Sequence, residues 1–260
     1  MEYGNSIDMN GVKVSLHPSG HIYGAAQVSV ESEGEVWVVS GDYKLEDDHL
    51  SVPYEPIKCH HFISECTFGL PVYHWPDQNE VYEKINHWWQ QNKSNGVTSI
   101  LYGYSLGKSQ RIIRNIDHGI GPVYVHKTVG AMNDAVRSDG AELPETITMT
   151  PDQETEQVKG NLIIAPPSFT SGPMVRDLAP FSVAMASGWI QTGKHMGSMD
   201  QGFVLSDHAD WDGLLKAFEA TGAERIITMH GYTSELTRWL NENGKNSIEL
   251  SDLQHQQFPL

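Results

Sequence analysis

Residues 19–44, SGHIYGAAQVSVESEGEVWVVSGDYK, decide the reading of this chain. Two runs rich in β-branched and aromatic residues, 26–31 and 35–40, flank a Ser-Glu-Gly turn and predict a β-hairpin. Each end of the hairpin carries small residues followed at once by a ligand-type side chain: Ser19-Gly20-His21 at one, Ser40-Gly41-Asp42 at the other. Glycine beside a strand end lets the backbone approach a ligand while the neighbouring side chain emerges at the sheet edge.

Working outward, residues 12–16 predict a further strand of a hairpin-rich sheet, and 62–65 a short strand ending in the loop 67–71. There the rhythm changes. Val81, Ile85, Trp88 and Trp89 recur at helical spacing and predict an amphipathic helix over 79–93. Strands at 97–104, 122–126, 161–165 and 183–187, with a helix at 106–116, follow the alternation of a mostly parallel sheet. Residues 139–160 are polar, acidic and proline-containing, and read as a surface excursion; 188–202 is Gly-rich and reads as mobile. A strand at 203–206, a helix at 211–220, a strand at 224–230 and a helix at 234–243 complete the pattern.

The chain has 260 residues, 39% of them hydrophobic, with seven tryptophans and ten tyrosines. That is apolar material for one large or two modest domains, and it excludes a disordered, collagenous or coiled-coil chain. A net charge of -16, from 33 acidic and 17 basic side chains, argues against a surface that grips nucleic acid by broad phosphate neutralisation. A local basic or metal-lined site stays open. The polar, acidic opening lacks a secretory signal and no stretch spans a bilayer, so a cytoplasmic location without membrane partners is expected. Two cysteines, Cys59 and Cys66, lack zinc-knuckle or redox spacing and read as buried thiols. Thirteen histidines point to metal or proton chemistry.

Five segments share the strand-end design: those of His21 and Asp42, then Ser64-Glu65-Cys66-Thr67, Ser206-Asp207-His208-Ala209-Asp210 and Met229-His230-Gly231-Tyr232. Histidines and carboxylates gathered at one sheet edge are the parts of a zinc hydrolase. Each alone has a plainer reading, a capping or core histidine or a surface carboxylate. Asp210 reads as an N-cap or a catalytic group, and Asp207 as a negative charge that raises the pKa of His208. In YSLGKSQR, 104–111, the glycine spacing of a nucleotide P-loop is absent, which argues against an NTPase. Ser105, Lys108 and Arg111, extended by Arg114, form either a phosphate-binding corner or an ordinary solvated helix start. His17 is expected to hydrogen-bond near the site; His49, His60, His61, His74, His87, His118, His126, His195 and His255 are given no ligand role.

The order and wording of GVKVSLHPSGHIYGAAQ, VVSGDYK, ECTFGLPVY, YSLGKSQR, GFVLSDHADW and MHGYT resemble the metallo-β-lactamase-fold nucleases with a β-CASP insertion, from Tyr3 onward. Within them the chain looks most like the bacterial ligase-associated DNA exonucleases, which are akin to mRNA end-processing factors. The resemblance implies an α/β chain: an N-terminally incomplete αββα sandwich at 1–69 and 203–260, and an inserted β-CASP α/β domain at 70–202. It implies His21 and His230 as metal ligands, Asp42 as the carboxylate shared by two zinc ions, and Glu65 paired with His208 at the scissile phosphate. His208 would bind phosphate and protonate the leaving oxygen. The resemblance also turns Ser105, Lys108 and Arg111 toward a nucleic-acid cleft.

The family's H-x-H-x-D-H segment, which supplies most of its metal ligands, has no match here; His60-His61 has the wrong spacing. Two protein ligands per ion is fewer than the usual three, so the chain alone is expected to be metal-poor and weakly active or inactive, with an apolar sheet face left open. The implied function is a two-zinc DNA exonuclease acting in repair with an ATP-dependent DNA ligase, DNA favoured over RNA. The alternatives are an RNA-processing nuclease and a non-catalytic nucleic-acid-binding or scaffold module. Spacing fits manganese or iron as well as zinc. A β-lactamase or glyoxalase-type hydrolase would not need residues 70–202.

Overall fold

The computed structural model describes residues 1–150, 155–171, 173–193, 197 and 199–253. His195 and His255 lie outside the described residues. The chain divides into two compact units, one of Met1–His74 with the chain from Asp207 onward, the other Trp75–Ser206.

The first unit is built on a seven-stranded sheet. Its strands in chain order are β1 (Ser6–Met9), β2 (Val12–Pro18), β3 (Ala26–Ser32), β4 (Glu35–Val39) and β5 (His61–Cys66). The second unit supplies β6 (Thr98–Tyr102), β7 (Val123–Val125), β8 (Ile147–Thr148), β9 (Leu162–Ala165), β10 (Phe181–Ala186) and β11 (Gln201–Phe203). Then β12 (Arg225–Gly231) and β13 (Ser247–Glu249) return to the first sheet, whose order is β1-β2-β3-β4-β5-β12-β13. β1 to β4 form an antiparallel meander, and β4, β5, β12 and β13 run parallel. β1 was not anticipated; Asn10 and Gly11, both at positive φ, make the two-residue turn that pairs it with β2.

Register separates the two faces of this sheet. Ser15, Ser29, Val38, Phe62 and Ile226 line up across five strands on one of them. There Phe62, fully buried, meets Tyr43 at 6.2 Å and Phe218 at 6.1 Å between ring centroids. Burial of such a ring stabilises by about 2 kcal/mol. The core continues through Trp211, Leu214, Leu236 and Leu240 of the helices Trp211–Thr221 and Thr233–Glu242. Asp210 caps the first of these, its carboxylate accepting from the Gly213 N–H at 2.8 Å, so the capping role holds in this structure. On the opposite face Leu16, Val28, Val39 and Ile63 form one row and Ile7, Val14, Val30 and Trp37 another. Ile7 is exposed and the other seven are half-buried.

The second unit carries a six-stranded, all-parallel sheet of order β11-β10-β6-β9-β7-β8. Every residue of β6, β7 and β9 is buried, as expected when helices cover both faces. The helix Gln78–Ser94 buries Val81, Ile85 and Trp89 and is capped by Asp77. A helix at Lys127–Ser138, unanticipated, buries Val129, Gly130, Asn133 and Val136. Glycine and asparagine on its buried face blur the apolar period that would announce it.

The strand expected at 203–206 lies instead at Gln201–Phe203, paired with β10. The carbonyls of Leu205 and Ser206 are held by Lys108 Nζ at 3.3 Å and Arg111 Nη1 at 3.0 Å, which takes the chain out of the ladder. Among the described residues no helix is long and apolar enough to cross a membrane. Both cysteines are free and buried.

Candidate active site

Three strand ends and one helix approach of the first unit converge. His21 follows β2, Asp42 follows β4, Glu65 is in the last turn of β5, and His208 precedes the helix Trp211–Thr221. Backbone bonds lace these segments together: Lys44 N to Ser19 O at 3.1 Å, Ser19 N to Ala25 O at 3.2 Å, and Ala209 N to Tyr43 O at 2.7 Å. Gly20 makes the first approach possible. It has φ +68°, and a Cβ at that position would sit 2.2 Å from the Lys44 carbonyl oxygen.

Potential ligand atoms of His21, Asp42 and His208 lie within 4.8 Å of one another. His21 donates through Nδ1 to the Asp207 carbonyl at 2.8 Å, and its Nε2 faces Asp42 Oδ2 at 3.7 Å. A carbonyl partner on one ring nitrogen is the usual way of orienting the other toward a cation. Asp207, given only a charge role from sequence, thus contributes its backbone oxygen as well. The rings of His21 and His208 meet edge-on at 4.7 Å.

Glu65 is almost wholly buried, at 1% exposure. Its Oε1 is 3.2 Å from His208 Nδ1, and its Oε2 accepts from the Thr67 N–H at 2.6 Å. Its own N–H donates to Ser40 Oγ at 3.2 Å, which ties it to the strand carrying Asp42. Burial of His208 works against its charged form, but the hydrogen bond and charge of Glu65, then the charges of Asp207 and Asp42, outweigh it and raise the pKa above 6.5. His208 is therefore an imidazole held toward its protonated state beside a fixed carboxylate.

The other expected site residues fall elsewhere. His230 lies on the exposed end of β12 at φ +56°, outside the His21–Asp42–His208 group, where it lines a cavity of about 330 Å³ with Thr228, Met229, Thr233 and Glu249. Its carbonyl accepts from Cys66 Sγ at 3.1 Å. Lys108 and Arg111 are not a solvent-facing phosphate corner: they are 3% and 1% exposed, and their cationic groups hold the carbonyls of Leu205 and Ser206. Ser105 bonds Thr128 Oγ1 at 2.8 Å. His17 bonds Ser15 at 3.0 Å and faces Glu55 at 3.4 Å, not the site residues. A second trio, His74, Asp210 and Asp212, was not anticipated as a group; His74 and Asp212 are exposed and Asp210 half-buried, with His74 Nδ1 2.9 Å from Asp212 Oδ2.

No family model matches the chain. Over 236 residues, 89% of its length, it is 31% identical to a probable DNA ligase of Opitutus terrae, of which it spans 23%. It is 31% identical over 119 residues, 45% of its length, to Endoribonuclease YSH1 of Saccharomyces cerevisiae, spanning 15% of that protein. RNase aCSPSF2 of Saccharolobus solfataricus is 28% identical over 118 residues, 43% of this chain and 23% of that one. A solved structure of a protein of unknown function from Enterococcus faecalis V583 superposes with a TM-score of 0.64 at 12% identity, covering 96% of this chain and 64% of that one. At that identity the likeness concerns fold alone.

Proposed function

Because the chain belongs to the β-CASP family of metallo-β-lactamase-fold hydrolases, we propose that it serves metal-dependent hydrolysis of nucleic-acid phosphodiester bonds, acting on DNA ends alongside an ATP-dependent DNA ligase. The observation that carries this reading is the pair of buried Glu65 and half-buried His208 set beside His21 and Asp42. The link to ligation is supported by the 31% identity to a protein named a probable DNA ligase.

His21 Nε2 and Asp42 are the donors that fit a divalent cation, zinc first and manganese next. When bound, such an ion acidifies a water toward hydroxide and polarises a phosphoryl oxygen. His208 is assigned a different role on its geometry, because the buried Glu65 carboxylate holds its Nδ1 at 3.2 Å. Glu65 fixes the ring through Nδ1, which leaves Nε2–H to donate to a phosphate oxygen and to protonate the leaving oxygen. With two donors in place, this chain alone is expected to hold metal weakly and to cut slowly. The RNA-processing alternative is supported by the likeness to YSH1 and aCSPSF2.

The test is cleavage of matched, end-labelled single-stranded DNA and RNA by the purified chain with divalent metal in excess. DNA shortening that needs metal and falls about 100-fold or more in His208→Ala is expected. RNA-only cleavage overturns the choice of DNA, and undiminished cleavage by His208→Ala overturns the site. Zinc that stays bound in two equivalents through dialysis overturns the claim of weak metal binding.

A further inference from the structure

The second unit presents an exposed aromatic side chain where a parallel sheet is built to receive ligands. After β6 the chain turns toward β7, whereas after β10, the neighbour of β6 on its other side, it turns toward β11. Adjacent strands whose connections diverge leave a crevice at their carboxyl ends, the usual ligand position in sheets of this kind. The loop leaving β6, Gly103-Tyr104-Ser105-Leu106-Gly107, lies there.

In this loop Tyr104 is 62% exposed and Leu106 41%. The backbone beneath them is tied down. The Tyr104 carbonyl accepts from Ser109 N at 3.2 Å and Ser109 Oγ at 2.7 Å. The buried Gln110 side chain donates to Ser105 O at 3.0 Å and accepts from Gly107 N at 2.7 Å. Lys108 Nζ lies 5.9 Å from the Tyr104 ring centre. One residue along the loop, Ser105 Oγ bonds Thr128 Oγ1 at 2.8 Å, and Thr128 Oγ1 lies 2.8 Å from His126 Nδ1. Since Nδ1 accepts from Thr128, the His126 ring proton is on Nε2. An exposed π-face on a hydrogen-bonded loop, whose next residue is linked to a hydroxyl and an imidazole, matches a ligand with an aromatic face and oxygen-rich edges.

We infer that Tyr104 is a stacking platform for a nucleobase of single-stranded nucleic acid, with the Ser105–Thr128–His126 chain that starts at the next loop residue as its hydrogen-bonding partner groups. This rests on the nucleic-acid reading above. Stacking on one aromatic ring is indifferent to base identity and strong enough to anchor a strand.

The experiment is equilibrium binding, at low salt, of a fluorescent oligothymidylate and of an abasic oligomer of equal length to the wild-type chain and to Tyr104→Ala, Tyr104→Phe and Tyr104→Trp. Tyr104→Ala is expected to weaken oligothymidylate binding about 5- to 150-fold and to leave the abasic oligomer unchanged, while the Phe and Trp variants keep wild-type affinity. Circular dichroism checks that each variant is folded. Equal affinity of wild type and Tyr104→Ala for oligothymidylate, or equal affinity of the wild type for the two oligomers, overturns the inference and leaves the nuclease reading standing. Wild-type protein that binds neither oligomer overturns both.

Discussion

Substituting Gly20 by alanine tests the close approach on which the position of His21 depends. A left-handed conformation costs an L-residue about 1–2 kcal/mol, partly offset by about 0.4–1 kcal/mol from restricting the unfolded chain. The added Cβ would stand 2.2 Å from Lys44 O, so that carbonyl must retreat by roughly 1.2 Å or more to reach ordinary contact. The retreat breaks the Lys44–Ser19 backbone bond, worth about 1 kcal/mol, and adds about 1–3 kcal/mol of overpacking. The total is about 3–4 kcal/mol. Gly24, four residues along, has φ +79° with nothing within 4 Å of its would-be Cβ. Gly24→Ala should therefore lose only about 1 kcal/mol. Urea unfolding followed by tryptophan fluorescence measures both, and equal losses would falsify the steric account.

Glu65→Gln should lower the His208 pKa, since it removes the largest influence holding that ring protonated; imidazole proton–nitrogen correlation spectra read it directly, and an unchanged titration sinks the pairing. The sign for stability follows. A folded-state pKa raised above 6.5 adds stability that is fully present below about pH 6.5 and is lost as pH rises through the folded value, so the wild-type advantage over Glu65→Gln should shrink on going alkaline. Arg111→Met should cost about 1.5–3 kcal/mol, because the guanidinium holds Ser206 O in a buried setting; a melting temperature within error of wild type would contradict that role.

Much of the fold is legible because its periods are clean. Alternation of Val28, Val30, Val36 and Val38 with polar or opposite-face residues announces the meander, and Val81, Ile85 and Trp89 announce the helix Gln78–Ser94. β1 had a readable signal in Asn10-Gly11, but its residues are all exposed and carry no apolar period. Lys127–Ser138 was illegible because Gly130 and Asn133 occupy its buried face. In the site, motif order announces His21, Asp42 and Glu65 at strand ends of one sheet, whereas His208 joins them from the approach to the helix Trp211–Thr221 and not from the strand expected at 203–206. The position of His230 was not readable, because it depends on a register shift in β12 between Met229 and Gly231 that no spacing reveals. Nor was the burial of Lys108 and Arg111, whose partners are backbone carbonyls about 95 residues away.

The two thiols turn the first unit into its own reporter of opening. Burial pushes Cys59 up to about 11 and Cys66, aided by the charge of Glu65, up to about 12. At pH 8 both are protonated, and Cys66 is further engaged on the carbonyls of Met229 and His230. Alkylating reagents attack the thiolate, so the native chain should resist them. The rate at which label enters Cys66 then counts how often β5 and β12 part, with no probe added to the protein.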